Sequence, residues 1–206
     1  MNNDLIRDIA RLKSIADLGL LYHNNEFDKE RYEELREISL RQLSTFSINS
    51  VEELNILLPV AKDYPTAKVD IRGLILNADN KILLVKESTD NRWSLPGGWA
   101  DVGYSPKETI IKEIKEETGL DAEVKQLLAV FDKNKHDHPP EPHYVFKMVF
   151  YCTALSINLQ KGFDVLDIGY FDINDLPELS TNRILKTQLD LVYEKVITKN
   201  IEPYID

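Results

Sequence analysis

The sequence predicts an α/β sandwich around a mixed sheet, preceded by a small all-helical domain. Three observations carry this. Through roughly the first sixty residues, apolar side chains recur at helical spacing. From Lys68 the period shortens to that of strands. Beyond that point strands and helices mix without a regular βαβ beat, which argues against a doubly wound sheet. The 206 residues have room for one domain of about 140 residues and a smaller one, expected at 1–62 and 66–206.

The elements follow in order. Leu5, Ile9, Leu12, Ala16 and Leu20 mark a first helix, with Gly19 expected at its fraying end. A second helix is expected from Asp28 as its cap, with Phe27 and Tyr32 placed as a hydrophobic staple. Its apolar positions are Tyr32, Leu35, Ile38, Leu43 and Phe46. Ser50 and Glu53 form the capping box of a third, short helix. Helices this small bury little alone, so they are expected to pack on the rest of the chain or on a second copy. Pro59 and Lys62 to Thr66 read as a linker. Val69 to Ser88 reads as two strands joined by a tight turn at Asn77–Asn80, and Trp93 to Leu95 as a short extended piece ending at Pro96. A helix is predicted over Ser105 to Thr118, and strands over Ala122–Asp132, His143–Leu155 and Val165–Ile173. An amphipathic helix over Thr181–Val196 closes the chain.

Composition narrows the function. A net charge of −10 argues against a sequence-blind grip on nucleic acid or on anionic membrane, both of which reward a basic surface. It suits a protein that borrows positive charge from bound metal ions. Cys152 is the only cysteine, so no internal disulfide can form and a reducing compartment is expected. No apolar stretch approaches the roughly 20 residues of a membrane span, and the N-terminus carries no basic segment followed by an apolar run. The protein reads as cytoplasmic.

The helix from Ser105 has the best-supported boundaries. Ser105 caps it, Pro106 opens it, Glu108 completes the capping box and Gly119 stops it. At about 100° per residue, Glu113, Glu116 and Glu117 share one face, and Ile110 and Ile114 lie towards a core. Like charges at this spacing repel. Either the face is simply solvated, or a cation sits among the carboxylates. Just upstream, Gly97 and Gly98 allow backbone close to a bound group, and a carbonyl there could serve as a further ligand. Hard oxygen ligands suit Mg²⁺ or Mn²⁺, which in turn bind phosphate oxygens.

Gly98 to Leu120 resembles the Nudix box, G-x5-E-x7-R-E-U-x-E-E-x-G-U with U aliphatic. Gly98, Glu113, Ile114, Glu116, Glu117, Gly119 and Leu120 stand in register. Tyr104 replaces the first glutamate and Lys112 the arginine, the two residues that usually brace the loop against the helix. The helical N-terminal segment, the tract RWSLPGGWADVG and the lysine before Glu113 are similar to one Nudix branch. Its members act on nucleoside diphosphates linked to another group, such as ADP-ribose or CDP-choline. The resemblance implies a Nudix α/β/α sandwich, a homodimer through the N-terminal helices, and metal-dependent hydrolysis of a pyrophosphate linkage to a nucleoside monophosphate and a phosphorylated partner.

On that basis Glu113 and Glu117, with Glu116 and the Gly97 carbonyl, are the expected metal ligands. Glu116 and Glu141 are the candidate general bases. In the loop after Asp132, Lys133, His136, His138 and His143 are candidate contacts to phosphate or leaving group, against the plainer reading of a solvated connection. Arg92 offers a fork of donors suited to phosphate, or a surface ion pair. Trp99 and Tyr104 flank the glycine turn and are the aromatics expected to stack on a base. Cys152, in an apolar strand, is expected simply to pack. Two other readings stay open: an RNA-processing Nudix enzyme, which the net charge disfavours, and a nucleotide-sensing domain without turnover, which would be marked by eroded carboxylates.

Overall fold

The computed structural model describes residues 3–141 and 143–206. They form two compact units. Of the described residues, one unit comprises 3–68 together with 134–141 and 143–145, and the other 69–133 together with 146–206.

The first unit holds three helices: α1 (Asn3–Tyr22), α2 (Glu26–Ser44) and α3 (Val51–Leu57). Their core is Ile6, Ile9, Leu40, Leu43, Leu54 and Leu58. The Ser50–Glu53 capping box is present in full at the start of α3. Three details differ from the sequence reading. Helix α2 begins earlier, because Asn25 caps it and Asp28 sits one turn inside, its N–H donating to Asn25 Oδ1 at 2.8 Å. Phe27 forms no staple and is 73 % exposed. Gly19 is no fraying end: α1 runs on to Tyr22, and a Cβ at Gly19 would stand 2.3 Å from the Tyr32 ring. The glycine is there so that α2 can lay an aromatic ring on α1.

The buried face of α2 is also turned from the one its apolar residues suggest. It presents Arg36 and Ser39 together with Leu40 and Leu43, while Ile38 is exposed. Arg36 Nε donates to the buried Asp17 carboxylate at 3.1 Å, and its other nitrogens donate to Asn55 Oδ1 and the Leu58 carbonyl. A salt bridge thus replaces part of an expected hydrophobic stripe.

The second unit is a mixed α/β sandwich. One sheet has the order β4 (Gly97–Trp99), β1 (Lys68–Ile75), β6 (Val145–Ala154), β5 (Ala122–Asp132), β8 (Tyr204–Ile205); the other has β3 (Trp93–Ser94), β2 (Ile82–Glu87), β7 (Val165–Phe171). The pair β5–β8 is parallel, whereas β1–β4 and β5–β6 are antiparallel, so the first sheet is mixed. Strands β1 and β2 leave their turn after one bridge, Leu76 to Ile82, and enter different sheets. Helix α4 (Pro106–Thr118) seats Ile110 and Ile114 on Ile71, Ile75, Leu83, Phe150 and Cys152. Helix α5 (Lys186–Ile197) packs Leu189 and Val192 into a second core with Leu74, Leu84, Leu128, Phe131 and Val149. Gly73 lets α4 approach β1, since a Cβ there would meet the Ile110 and Ile114 side chains at 3.0–3.1 Å. Cys152 is wholly buried, and burial pushes its thiol up to about 12, so it packs and does not react.

Among the described residues, no helix is long and apolar enough to cross a membrane.

Candidate active site

Helix α4 starts and stops where its sequence dictates. The Ser105–Glu108 box is complete, Pro106 stands in the first turn, and Gly119 adopts φ 72° as the left-handed cap. The segment after β6 closes the far end: Gln160 N donates to the Thr118 carbonyl at 2.9 Å and Gly162 N to the Glu117 carbonyl at 3.0 Å. A Cβ on Gly162 would stand 2.2 Å from the Glu116 carbonyl oxygen.

Along α4 the three carboxylates pass from buried to exposed. Glu117 is 5 % exposed, Glu113 is half-buried and Glu116 faces solvent. Glu117 Oε2 accepts a hydrogen bond from Gly97 N at 2.8 Å, tying the helix to the glycine turn. Burial pushes the Glu117 carboxyl up to about 8, against the lowering pull of Arg72 and of the Gly97 N–H. Glu113 is pushed up too, by burial first and then by Glu116 and Asp164, with Lys112 and Arg72 opposing. The Glu113 carboxylate lies over Gly98, where a Cβ would come within 2.9 Å of its Oε1. Gly97 takes φ +138°, and a Cβ there would be 2.1 Å from the Ile71 carbonyl. Only glycine fits either position without a shift.

Among the described residues, no group of three or more His, Cys, Asp or Glu side chains is arranged to hold a metal ion. Glu117 is engaged by Gly97, and Glu116 approaches Lys112 at 3.8 Å. The donor set nonetheless suits a hard divalent cation: carboxylate oxygens on one helix, one of them buried and pushed towards its neutral form, beside a side-chain-free turn.

Beneath α4 lies an ionic chain. Arg72 on β1 donates from Nε to Asp70 Oδ1 at 2.8 Å, and from Nη1 to the Leu95 carbonyl at 3.1 Å. Lys147, wholly buried on β6, donates to the other Asp70 oxygen. Glu87 accepts from Ser94 Oγ at 2.5 Å and pairs with Arg183 Nε at 2.9 Å. Burial alone would raise Asp70, but Arg72 and Lys147 together hold it at about 2.

Comparisons with known proteins decide the family. Residues 67–191 match the NUDIX domain, and residues 3–58 match the domain described as UDP-X-like, N-terminal oligomerisation. The chain belongs to the Nudix hydrolases. It is 39 % identical over 89 % of its length to the Bacillus subtilis protein named "Putative ADP-ribose pyrophosphatase YjhB", covering 88 % of that protein. A crystal structure of a UDP-X diphosphatase is 38 % identical over the whole of both chains, with a TM-score of 0.64. A Streptococcus suis ADP-ribose pyrophosphatase structure is 39 % identical, covers 68 % of this chain and all of its own, and has a TM-score of 0.62. The chain is thus a Nudix pyrophosphohydrolase with the N-terminal domain of one branch.

Within the Nudix box the two departures find new partners. Lys112, in the arginine position, reaches Asp101 Oδ2 at 3.0 Å, and its Nζ stands 5.5 Å from the centroid of the Tyr104 ring. Tyr104 and Trp99 are exposed, 51 % and 48 %, on the turn and at the end of β4. Arg92 Nη2 pairs with Glu178 Oε1 at 2.8 Å, and both line a groove with Ile173, Leu176, Pro177 and Leu179. Lys133 is buried in the short helical turn just after β5 and belongs to the Nudix unit. His136, His138, Glu141 and His143 belong to the helical unit; His138 is buried and the other three are half-buried. Asp70, Arg72, Glu87, Lys147 and Asp164 were not anticipated. The available signal was a charged pair at alternate positions, Asp70 and Arg72, inside an otherwise apolar strand.

Proposed function

We propose that this Nudix hydrolase cleaves nucleoside diphosphates linked to another group, with Mg²⁺ or Mn²⁺, releasing a nucleoside monophosphate and a phosphorylated partner. ADP-ribose is the first substrate to test, because two of the similar proteins are named for it; CDP-choline and UDP-linked compounds follow. The observation that carries the reading is the Glu117–Gly97 hydrogen bond. It holds the box helix and the glycine turn in one frame, with Glu113 laid over Gly98.

Glu113, Glu116, Glu117 and the Gly97 carbonyl would hold the cation. When bound, it would neutralise the diphosphate and acidify a water. Glu116, which faces solvent on α4, and Glu141 are the two candidates to accept the proton. Trp99 and Tyr104 offer exposed rings to a base, and Arg92, Lys133, His136, His138 and His143 are candidate phosphate contacts. Leu5, Leu12 and Ile15 leave an apolar stripe exposed on α1, which supports a homodimer through the helical unit. The single buried cysteine is compatible with a reducing, cytoplasmic setting.

The test is a product assay across ADP-ribose, CDP-choline and UDP-sugars, with Mg²⁺ or Mn²⁺ and with chelator. Metal-dependent release of the nucleoside monophosphate supports the reading. Turnover of none of them under saturating metal would overturn it, and would turn attention to RNA 5′ ends or to a sensing role.

A further inference from the structure

The helical unit carries a feature that the hydrolase chemistry of α4 does not use. Arg7, Arg11 and Ser14 are spaced four and three residues apart on α1, so they share one side of that helix. With Lys13 they line a cavity of about 450 Å³, a volume in the range of small-molecule sites. Leu43 and Leu58, both buried, supply apolar surface to it, and His143 and Tyr144 from the second segment of the unit complete the lining. Every lining residue belongs to residues 1–68 or 134–145.

The charge of the cavity runs against that of the chain, whose net charge is −10. Among the described residues two acidic side chains line the cavity; of these, Asp17 is 2 % exposed and already matched by Lys13 at 2.5 Å and Arg36 at 3.1 Å. Asp8 lies at the rim, 3.8 Å from Arg7. Arg11 has no ion pair or hydrogen bond among the described residues and lines the cavity unengaged. At His143 burial lowers the pKa first, with Lys68 and then Lys13 adding to it and Glu141 opposing. Two guanidinium groups one helical turn apart, with a hydroxyl on the next turn, present more donors than a carboxylate can accept. A phosphate group, with three oxygens in a tetrahedral array, matches them.

We propose that this cavity binds a phosphorylated small molecule, its phosphate on Arg7 and Arg11 and an apolar ring or chain against Leu43, Leu58 and Tyr144. The inference does not rest on the substrate assigned above: Arg7 and Arg11, which would hold the phosphate, lie in the N-terminal match and outside the NUDIX match, and of the lining only His143 is also a candidate contact of that substrate. The ligand is either free phosphate chemistry of any kind or a nucleotide, and affinity separates the two. An arginine contact to phosphate is a charge-assisted hydrogen bond, so its loss weakens binding by about tenfold or more.

The experiment is calorimetric titration of the full chain with inorganic phosphate and with AMP, in excess EDTA so that no divalent cation contributes. Wild type, Arg11→Gln, Arg11→Glu and Glu117→Gln are compared, with thermal melts to establish that each is folded. Arg11 is exposed and without partners, so neither substitution removes a contact of the fold. Saturable binding of either probe that weakens by about tenfold in Arg11→Gln and more in Arg11→Glu, and is retained in Glu117→Gln, supports the proposal. Tighter binding of AMP than of phosphate then assigns a nucleotide; equal affinity assigns the phosphate alone. No saturable binding to the wild type overturns it. So does binding that ignores Arg11, or that is lost in Glu117→Gln, since the anion would then sit on the box helix.

Discussion

Lys112 Nζ donates to Asp101 Oδ2 at 3.0 Å while standing 5.5 Å from the centroid of the Tyr104 ring. One side chain on α4 therefore grips both the acidic and the aromatic residue of the turn before it. This is the bracing expected of the Nudix box, made with a lysine, an aspartate at one of the motif's variable positions and an aromatic face.

The brace is exposed, with Lys112 and Asp101 side chains 33 % and 52 % accessible, so solvent screens it and it adds little to stability. Its worth to activity is larger, because a turn displaced by an ångström costs catalysis steeply. Lys112→Ala is expected to leave the melting temperature nearly unchanged and to lower kcat/KM by about tenfold or more. Lys112→Arg, which keeps both contacts, should recover most of that loss. Melting curves beside steady-state kinetics decide it; a large drop in melting temperature would show a structural role instead.

Glu117→Gln replaces a buried carboxyl, already pushed to about 8, by a neutral group of the same shape. The fold should persist. Divalent cation stabilises whatever state binds it, in proportion to ln(1 + [L]/Kd). Melts with and without Mn²⁺ should therefore show a rise in wild type that Glu117→Gln largely loses, together with most turnover. Wild-type turnover in this variant would remove the central functional claim.

Neighbouring glycines should respond differently to the same methyl. At Gly97 the added Cβ would be 2.1 Å from the Ile71 carbonyl at φ +138°, so Gly97→Ala is expected to cost several kcal/mol, at least the roughly 1–3 kcal/mol of a strained backbone. At Gly98 it meets only the end of the Glu113 side chain, 2.9 Å away. Gly98→Ala should then change stability little but move Glu113, weakening Mn²⁺ binding and turnover. Equal melting temperatures for the two variants would contradict this.

Asp70 sets an acid limit. Its carboxyl stands at about 2 in the folded chain against an ordinary 3.8. A lowered carboxylate contributes stability above the unfolded value and loses it as pH falls through the folded one. The ionic chain should therefore weaken between about pH 4 and pH 2. Asp70→Asn leaves Lys147 buried without its counter-charge, while Arg72 keeps Glu87 at 3.5 Å; the cost is about 3–5 kcal/mol near neutrality, and the variant should flatten stability over that acid window. Denaturant melts at stepped pH measure both effects.

What the sequence by itself determined is local. Ser105, Pro106, Glu108 and Gly119 define α4 because caps act within one turn of the chain. The same helix places Glu113, Glu116 and Glu117 on one side with Ile110 and Ile114 turned to a core, since helical periodicity needs no partner. The family followed from that pattern. Tertiary structure decided whatever depends on residues far apart in the chain. Gly19 looked like a helix end because its reason is the Tyr32 ring on another helix. Arg36, Asp17, Arg72 and Lys147 are buried beside their counter-charges only by packing between distant segments. Segment 134–145 read as a loop of the catalytic domain, yet it packs with the N-terminal helices and supplies His143 and Tyr144 to their cavity. Periodicity and capping are written in neighbours; buried charge pairs and cavities arise only when distant segments meet and exclude water.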